Sequence, residues 1–358
     1  MKKLLVLNLL LLLGSTAFAQ NSFSGLPEMT NTQKPWTRWW WMGNAVDKEN
    51  LRENLIQLSE AGIGGVEITP IYGVKGEEEN FIDYLSPKYM EMLDYTLQTA
   101  DSLGMQVDMV LGTGWPYGGP QVSQEDAATK LIIRKYELKK NERIKEEIKP
   151  NEKEDYAKLK YVMAYGHQGT YIDLTDELNG DELNWKAKKE HFTLYAVFVG
   201  KTGQKVKRAA PGGKGFTLDH YSNKAFENYV KPFDEVLPPF KNKIRAIFND
   251  SYEVYGSNFT PEFFEKFEEY RGYDLKKHLP ELFSPVSTEL GNRVKGDYRE
   301  TLSDLLLNDF NKPWTNWAND YGFKTKLQAH GSPGNLIDLY ASADIPECET
   351  FGSMPFDI

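Results

Sequence analysis

The stretch DKENLRENLIQLSEAG, Asp47 to Gly62, followed at once by GGVEITPIYG, Gly64 to Gly73, decides the fold class. Asp47 is a good N-cap, apolar residues then recur at helical spacing, and Gly62 stops the helix. The second segment is a short apolar run typical of a strand. A helix joined to a strand by so short a turn predicts a β/α unit, in which a crossover helix connects two parallel strands.

The same alternation continues on both sides of this stretch. TRWWWMGN, Thr37 to Asn44, predicts a strand before it. After it, SPKYMEMLDYTLQTADSLG predicts a helix with Ser86 as N-cap and Pro87 at its first position, and MQVDMVLGTGW predicts the next strand. Strand, helix, strand, helix and strand with short joins indicate parallel strands, helices outside them and right-handed crossovers.

Between Gln121 and Tyr221 the pattern changes. β-Branched and aromatic runs, separated by polar or glycine-containing segments, predict strands without intervening helices: LIIRKYEL, YIDLTDEL, HFTLYAVFVG and GFTLDHY. The charged stretch from Asn141 to Asp155 is the one candidate helix in this region. We therefore predict an inserted antiparallel β-region.

Helix and strand alternation resumes after the insertion. NKIRAIFND and FKTKLQAHG predict two strands on either side of a long helix from about Val294 to Tyr321, and ADIPECET predicts a sixth strand. A closed (β/α)8 barrel has eight β/α units. We therefore predict an α/β fold, a (β/α)8 TIM-type barrel that is incomplete at the C-terminus, from a truncated product or a partial gene. An open doubly wound sheet is the alternative, although the glycine-rich turns that serve a nucleotide are missing.

The predicted organisation has four parts. Residues 1–19 form a signal peptide, 20–120 the first part of the barrel, 121–221 the β-rich insertion and 222–358 the continuation of the barrel. The leader carries two lysines, a leucine-rich run and a small-x-small site that ends at Ala19. Its apolar run is too short to span a membrane. We expect export to the periplasm or the cell surface, without a membrane span.

Charge and cysteine content exclude several classes of function. The net charge of -10, from 52 acidic against 42 basic residues, opposes binding to nucleic acid. The single cysteine, Cys348, leaves no internal disulfide and no cysteine pair for zinc or redox chemistry. We interpret Cys348 as a small buried side chain.

Polar and aromatic side chains follow the apolar runs, where the carboxyl ends of barrel strands carry functional groups. The candidate site residues are Asn44, Glu67, Trp115, Asn249, Asp250, Glu253, His330, Glu347 and Glu349. They are carboxylates, amides and aromatics, and no serine nucleophile elbow, phosphate loop, Cys/His metal cluster or dinucleotide fingerprint is found among these strand ends. Such groups suit a sugar, whose faces are apolar and whose rim is hydroxyls.

Carboxylates that face one another across an aromatic-walled cleft suit glycoside hydrolysis, because one carboxyl must carry a proton while the other stays ionised. A carbohydrate-binding protein without catalytic activity could use the same side chains. Glu253 could also simply solubilise a strand end. Glu67 lies inside the apolar run GVEIT, where a carboxylate needs a partner or a ligand. The triplet Trp39 to Trp41 is more typical of core than of a sugar platform, because successive strand residues point to opposite faces.

Five segments in order resemble glycoside hydrolase family 106, the α-L-rhamnosidases: RWWWMGNAVDKENL, GGVEITPIYGVKG, LGTGWPYGGP, FNDSYEVYG and QAHGSPGNLIDLYASADIPECE. The resemblance implies a (β/α)8 catalytic domain with β-sandwich modules. It also implies periplasmic or surface action on rhamnose-containing oligo- or polysaccharides, an inverting mechanism and a calcium ion near the bound sugar.

The resemblance also suggests roles for individual residues. It implies that Glu253, in FNDSYE, is the general acid, and that Glu347 or Glu349, in DIPECET, orients the sugar, holds calcium or acts as base. We expect the other strand-end residues to bind substrate: Asn44, Glu67, Trp115, Asn249, Asp250 and His330. An inactive fragment of a rhamnosidase is a further alternative.

Overall fold

A computed structural model describes residues 30–150 and 156–349; the predicted signal peptide lies outside these ranges. The strands are β1 Trp36–Met42, β2 Gly65–Ile71, β3 Gln106–Val110, β4 Gly118–Gly119, β5 Thr129–Leu138, β6 Arg143–Glu147, β7 Lys158–Gly166, β8 Tyr171–Asp173, β9 Leu178–Asn179, β10 Glu182–Lys186, β11 Phe192–Lys201, β12 Phe216–Thr217, β13 Ala246–Asn249, β14 Lys324–Leu327 and β15 Ile345–Pro346. The α-helices are α1 Lys48–Glu60, α2 Pro87–Ser102, α3 Asn223–Val236, α4 Phe263–Arg271, α5 Leu279–Leu282, α6 Glu289–Leu305, α7 Lys312–Asp320 and α8 Leu336–Ala341.

Six strands form one sheet in the order β1-β2-β3-β13-β14-β15. Every neighbouring pair in it is parallel, so the six predicted barrel strands are present. The order follows the chain without reversal, whereas a doubly wound sheet has a point at which the strand order reverses. Within residues 30–150 and 156–349 no strand pairing joins β1 to β15, so the sheet is open and a closed barrel stays a prediction.

Local sequence explains where the helices begin. The Asp47 carboxylate accepts a hydrogen bond from the Asn50 backbone N–H at 2.9 Å, which caps α1 as predicted. The Ser86 hydroxyl accepts one from the Tyr89 N–H at 3.2 Å, and Pro87 begins α2. The long helix begins at Glu289 rather than near Val294, and α6 and α7 are joined by a π-helical segment at Leu306–Asn311.

The region between the third and fourth strands of the parallel sheet is antiparallel, as its alternating pattern predicts. One sheet has the order β5-β11-β7-β8 and another the order β6-β10-β9. The helix expected at Asn141 to Asp155 is wrong where the structure describes it, because β6 occupies Arg143–Glu147 and residues 151–155 lie outside the described ranges. Ile144 is buried between exposed neighbours, and β6 pairs antiparallel with β10 along its whole length. The domain boundaries stay a prediction.

Aromatic side chains fill the layer between the parallel sheet and its helices. Trp41 is 1% exposed and packs edge-on against Tyr89 of α2, Trp39 is partly buried beside it, and Trp40 is 42% exposed. The tryptophan triplet is therefore mainly core, as the alternation of strand faces predicts. Phe310, fully buried in the π-helical segment, contacts several rings: Tyr117, His220, Phe226, Tyr252 and Trp314.

Two further expectations concern the surface. Cys348 is exposed, so its interpretation as a buried side chain is wrong; it lies two residues beyond the short strand β15, where the described chain lies at the surface.

None of the helices in the described ranges is both long enough and apolar enough to cross a bilayer.

Replacing Phe310 with alanine should lower the free energy of unfolding by about 3–5 kcal/mol, because it opens a cavity at the centre of the aromatic cluster. Urea unfolding followed by tryptophan fluorescence measures this loss. Val286, which is 63% exposed, provides the control: its alanine variant should change stability by no more than about 0.5 kcal/mol. Equal losses in the two variants would contradict the assignment of Phe310 to the core.

Candidate active site

Charged side chains line the face of the parallel sheet opposite to Trp41. Strand register places Arg38, Glu67 and Asp108 side by side on β1, β2 and β3. Because side chains alternate across a strand, these three residues share one face, while the apolar neighbours Val66 and Ile68 pack into the core. In a barrel this charged face is the interior.

Glu67 is 3% exposed and pairs with two cations, as a buried carboxylate requires. Its Oε1 lies 2.9 Å from Arg38 Nε and its Oε2 lies 2.7 Å from Lys326 Nζ. Burial raises the pKa of Glu67, and Lys326 and Arg38 act against that rise. The partners of this buried acid therefore come from β1 and β14, which lie far apart in the sequence.

Lys326 and Arg38 extend the network to the ends of other strands. Lys326 Nζ also lies 2.7 Å from Glu347 Oε2 and 3.9 Å from Asp108 Oδ2. Burial acts to lower the pKa of Lys326, but Glu67 and Glu347 raise it, and the net direction is upward. Arg38 lies 3.3 Å from Asp250 and 4.0 Å from Glu347. The network thus brings together three predicted site residues: Glu67, Asp250 and Glu347.

The end of β13 places Asn249 and Asp250 beneath the cleft. Asp250 is 7% exposed; burial raises its pKa, and Arg38 opposes the rise. The Asn249 amide nitrogen donates to the Tyr252 hydroxyl at 3.2 Å, while its buried Oδ1 has no hydrogen-bond partner in the described structure. The charge of Glu253 adds slightly to the rise in the pKa of Asp250.

Glu253 lies at the rim, above these buried groups. Its Oε2 accepts hydrogen bonds from the Trp115 indole N–H at 3.0 Å and from Lys207 Nζ at 2.7 Å. The Lys207 bond lowers the pKa of Glu253, burial acts in the opposite direction, and the Trp115 bond lowers it further. The described structure therefore favours ionised Glu253, whereas the general acid implied by the resemblance must carry a proton.

The sequence did not point to the side chains that the insertion contributes to this rim. Gln204 Nε2 donates to the Glu253 carbonyl at 2.7 Å, and Lys207 reaches the Tyr255 hydroxyl at 3.2 Å. Arg208 donates to the Tyr72 hydroxyl at 3.0 Å and lies 5.6 Å from the centre of the Trp115 ring. These residues follow strand β11 in a segment without a catalytic motif, so only the folded chain reveals their position.

Aromatic side chains at the same edge remain accessible. Trp40 is 42%, Tyr72 43% and Tyr255 65% exposed. Trp40 shares the inner face with Arg38, whose guanidinium lies 5.5 Å from its ring centre. Flat rings around a set of carboxylates and amides provide the surface that a sugar ring stacks on.

The predicted site residues Asn44, His330 and Glu349 lie in three different environments. Asn44 is fully buried and its amide donates to the Ile82 carbonyl at 3.0 Å, so it supports a loop instead of lining the open cleft. His330 follows β14, and its carbonyl accepts from the Tyr252 N–H at 2.8 Å. Glu349 is exposed beyond β15.

The calcium ion implied by the resemblance does not fit at Glu347 as described. A calcium site collects six to eight oxygen ligands. Both Glu347 oxygens instead face cations, Lys326 at 2.7 Å and Arg38 at 4.0 Å. Calcium binding by Glu347 or Glu349 stays a prediction.

A parallel β/α sheet with paired carboxylates and exposed aromatics at the carboxyl ends of its strands is typical of a glycoside hydrolase. The family comparison agrees, because residues 27–168 and 133–353 match glycoside hydrolase family 106, described as alpha-L-rhamnosidase. The chain belongs to this family.

Two similar proteins are longer than the part of them that this chain matches. A Formosa agariphila protein named "Putative beta-glucuronidase" is 25% identical over 97% of this chain and 34% of its own length. The solved rhamnosidase of Novosphingobium sp. PP1Y shares the fold with a TM-score of 0.76 and 17% identity, over 88% of this chain and 48% of that one. The chain thus spans less than half the length of both.

Replacing Lys326 with methionine should destabilise the protein by about 3–5 kcal/mol at pH 7, because it leaves Glu67 buried with one cation fewer. Burial already raises the pKa of Glu67 above its ordinary 4.5, and the substitution raises it further. Stability should therefore fall as pH rises through that pKa, so the loss should be smaller at pH 5 than at pH 7. Chemical denaturation at both pH values measures it.

The double variant Lys326→Met with Glu67→Gln is the matched control. It should recover much of the stability at pH 7, since no buried carboxylate is left with a missing partner. A loss that is the same at pH 5 and pH 7, and that the second substitution does not relieve, would argue against the Glu67–Lys326 pair as its source.

Proposed function

We propose that the protein is a glycosidase that removes terminal α-L-rhamnose from glycans by an inverting single displacement. The observation that carries the proposal is the position of Glu253, held by Trp115 and Lys207 at the rim, four residues beyond the end of the parallel strand β13. In an inverting enzyme one carboxyl protonates the leaving oxygen while a carboxylate on the opposite face of the sugar activates water.

Glu253 is the general acid in this proposal. Lys207 opposes protonation of Glu253, so the two must separate when the sugar enters. The Tyr255 hydroxyl, 3.2 Å from Lys207 Nζ, offers the ammonium another acceptor. Trp115 keeps its indole N–H directed at the carboxyl and fixes its orientation.

Glu347 is the candidate for the base, with Glu349 as the second candidate. Lys326 and Arg38 contact the two Glu347 oxygens and so orient the carboxyl from beneath. The remaining predicted substrate contacts are polar groups at the ends of β13 and β14, Asn249, Asp250 and His330. Charged groups fixed in advance at a site cost little reorganisation when the reaction occurs.

The substrate in this proposal is a rhamnose-containing oligo- or polysaccharide that the exported enzyme meets in the periplasm or at the cell surface. The name of the Formosa agariphila relative favours one other substrate class, a β-glucuronide. A carbohydrate-binding protein without hydrolytic activity is the second function that the same cleft would serve.

Hydrolysis of aryl α-L-rhamnoside and aryl β-D-glucuronide, measured side by side, tests the proposal. We expect turnover of the rhamnoside, and a fall of about 10²-fold or more in Glu253→Gln, the range typical of general acid–base catalysis. Glu235→Gln, an exposed acid on α3, is the matched control and should keep full activity. Turnover of the glucuronide alone, or binding of rhamnoside without hydrolysis, would overturn the proposal.

Replacing Lys207 with methionine should move the alkaline limb of the kcat/KM profile to higher pH. The Lys207 hydrogen bond lowers the pKa of Glu253, so its loss raises that pKa. A general acid is active while protonated, hence its activity persists to higher pH. Lys205→Met, in the same segment, is the control. Movement of the acidic limb instead would identify Glu253 as the base.

A further inference from the structure

A second group of chemically active side chains lies on the insertion, outside the cleft. Glu137 of β5, His167 after β7 and His191 before β11 each direct one possible ligand atom at the others, and these three atoms lie within 4.8 Å of one another. These residues lie outside the strand ends at which the candidate site residues were predicted. We propose that they form a binding site for a divalent transition-metal ion, with zinc as the best-matched ion.

The antiparallel register brings the three residues together. Glu137 of β5 faces Thr193 of β11, and Thr193 faces Tyr165 of β7. His191 lies two residues before Thr193 and His167 lies two residues after Tyr165, so the two histidines extend this antiparallel pairing. The His167 N–H donates to the His191 carbonyl at 3.0 Å. Because residues two apart share a face, all three candidate ligands project from the same side of the sheet.

Existing contacts already orient the donors. His191 Nε2 lies 3.1 Å from Glu137 Oε2, and the two imidazoles stack with ring centres 4.1 Å apart. The Thr193 hydroxyl donates to the same Glu137 oxygen at 3.0 Å, which holds the carboxylate between the strands. Outer contacts of this kind fix the orientation of metal ligands.

Binding requires the imidazoles to turn, because the two rings are nearly parallel, at 16°, and each nitrogen lone pair lies in its own ring plane. Zinc bonds of 2.0–2.2 Å in tetrahedral geometry place donor atoms about 3.4 Å apart. Glu137 and His167 are exposed and His191 is half-buried, so rotation of the side chains can close the gap from 4.8 Å. The three protein donors leave a fourth position open.

The charge and the free space around the three donors suit a cation with an open coordination position. The Glu190 carboxylate, next to His191, accepts hydrogen bonds from the Gln168 N–H and the Thr170 hydroxyl, so an acidic group lies beside the loop that carries His167. His167 and Thr193 also line a pocket of about 370 Å³ that reaches the barrel side of the molecule at Glu281.

The donor set selects the type of metal. Imidazole nitrogen favours zinc, copper and nickel, whereas calcium and magnesium prefer oxygen ligands throughout. Two imidazoles and one carboxylate therefore distinguish this site from the calcium site that the family resemblance implies. The inference is independent of the proposed glycosidase activity, because none of the three residues lies in the cleft.

Zinc chloride titrated into the chelator-treated whole protein, in competition with a coloured zinc indicator, tests the site. We expect one zinc ion per chain at micromolar or tighter affinity, and a loss of at least about tenfold in His167→Ala and in His191→Ala. Glu137→Gln should also weaken binding. His278→Asn is the matched control, since His278 lies outside the three-donor group and should bind zinc within about threefold of wild type.

Two further measurements use only the wild-type protein, so differences in folding between variants cannot affect them. Cobalt bound to the wild-type protein should give the intense visible absorption of a low-symmetry four-coordinate ion, and calcium at the same concentration should not displace it. Zinc should raise the thermal unfolding midpoint of the wild type, because it binds the folded chain. Absence of stoichiometric zinc binding, unchanged affinity in both histidine variants, or displacement by equimolar calcium would each overturn the inference.

Discussion

The ammonium group of Lys326 fixes the inner face of the parallel sheet. It lies 2.7 Å from both Glu67 and Glu347 and 3.9 Å from Asp108, so one cation from β14 serves acids of β2 and β3 and the residue that follows β15. Removing one partner from such a buried set leaves an unpaired charge in a poorly solvated place, at a cost of several kcal/mol. In the observed strand register, Lys326 lies near all three acids. The same register positions the loops at the carboxyl ends of the strands.

The insertion is part of the cleft that this register creates. Trp115 and Lys207 exchange backbone hydrogen bonds, with N···O distances of 3.2 and 2.8 Å, so the segment after β11 pairs directly with the loop after β3. The pairing places the Lys207 ammonium and the Trp115 indole on the same oxygen of Glu253. The antiparallel insertion interrupts the β/α pattern, and it thus supplies one wall of the site at the carboxyl ends of the parallel strands.

Local signals in the sequence predicted most of the fold. Asp47 and Ser86 cap helices where their side chains can accept backbone hydrogen bonds, and the periodic apolar runs give the six parallel strands. Glu67 showed that a partner was required, but its contact with Lys326 spans 259 residues, which no local pattern encodes. Lys326 stands in the alternating segment KTKL, which is also typical of a solvent-facing strand. Lys207 was missed for the same reason: its importance comes from a tertiary contact.

Two neighbouring carboxyls in this site have opposite electrostatic surroundings. Burial raises the pKa of Asp250, and Lys207 lowers that of Glu253. Asp250 is paired with Arg38, which is itself anchored to Glu67 in the interior, so an entering sugar cannot easily change its partner. Glu253 lies at the rim, and its cation has Tyr255 as a second acceptor. In the proposed mechanism, Glu253 is therefore the carboxyl whose pKa an entering sugar would have to raise, because a glycosidase needs a protonated donor.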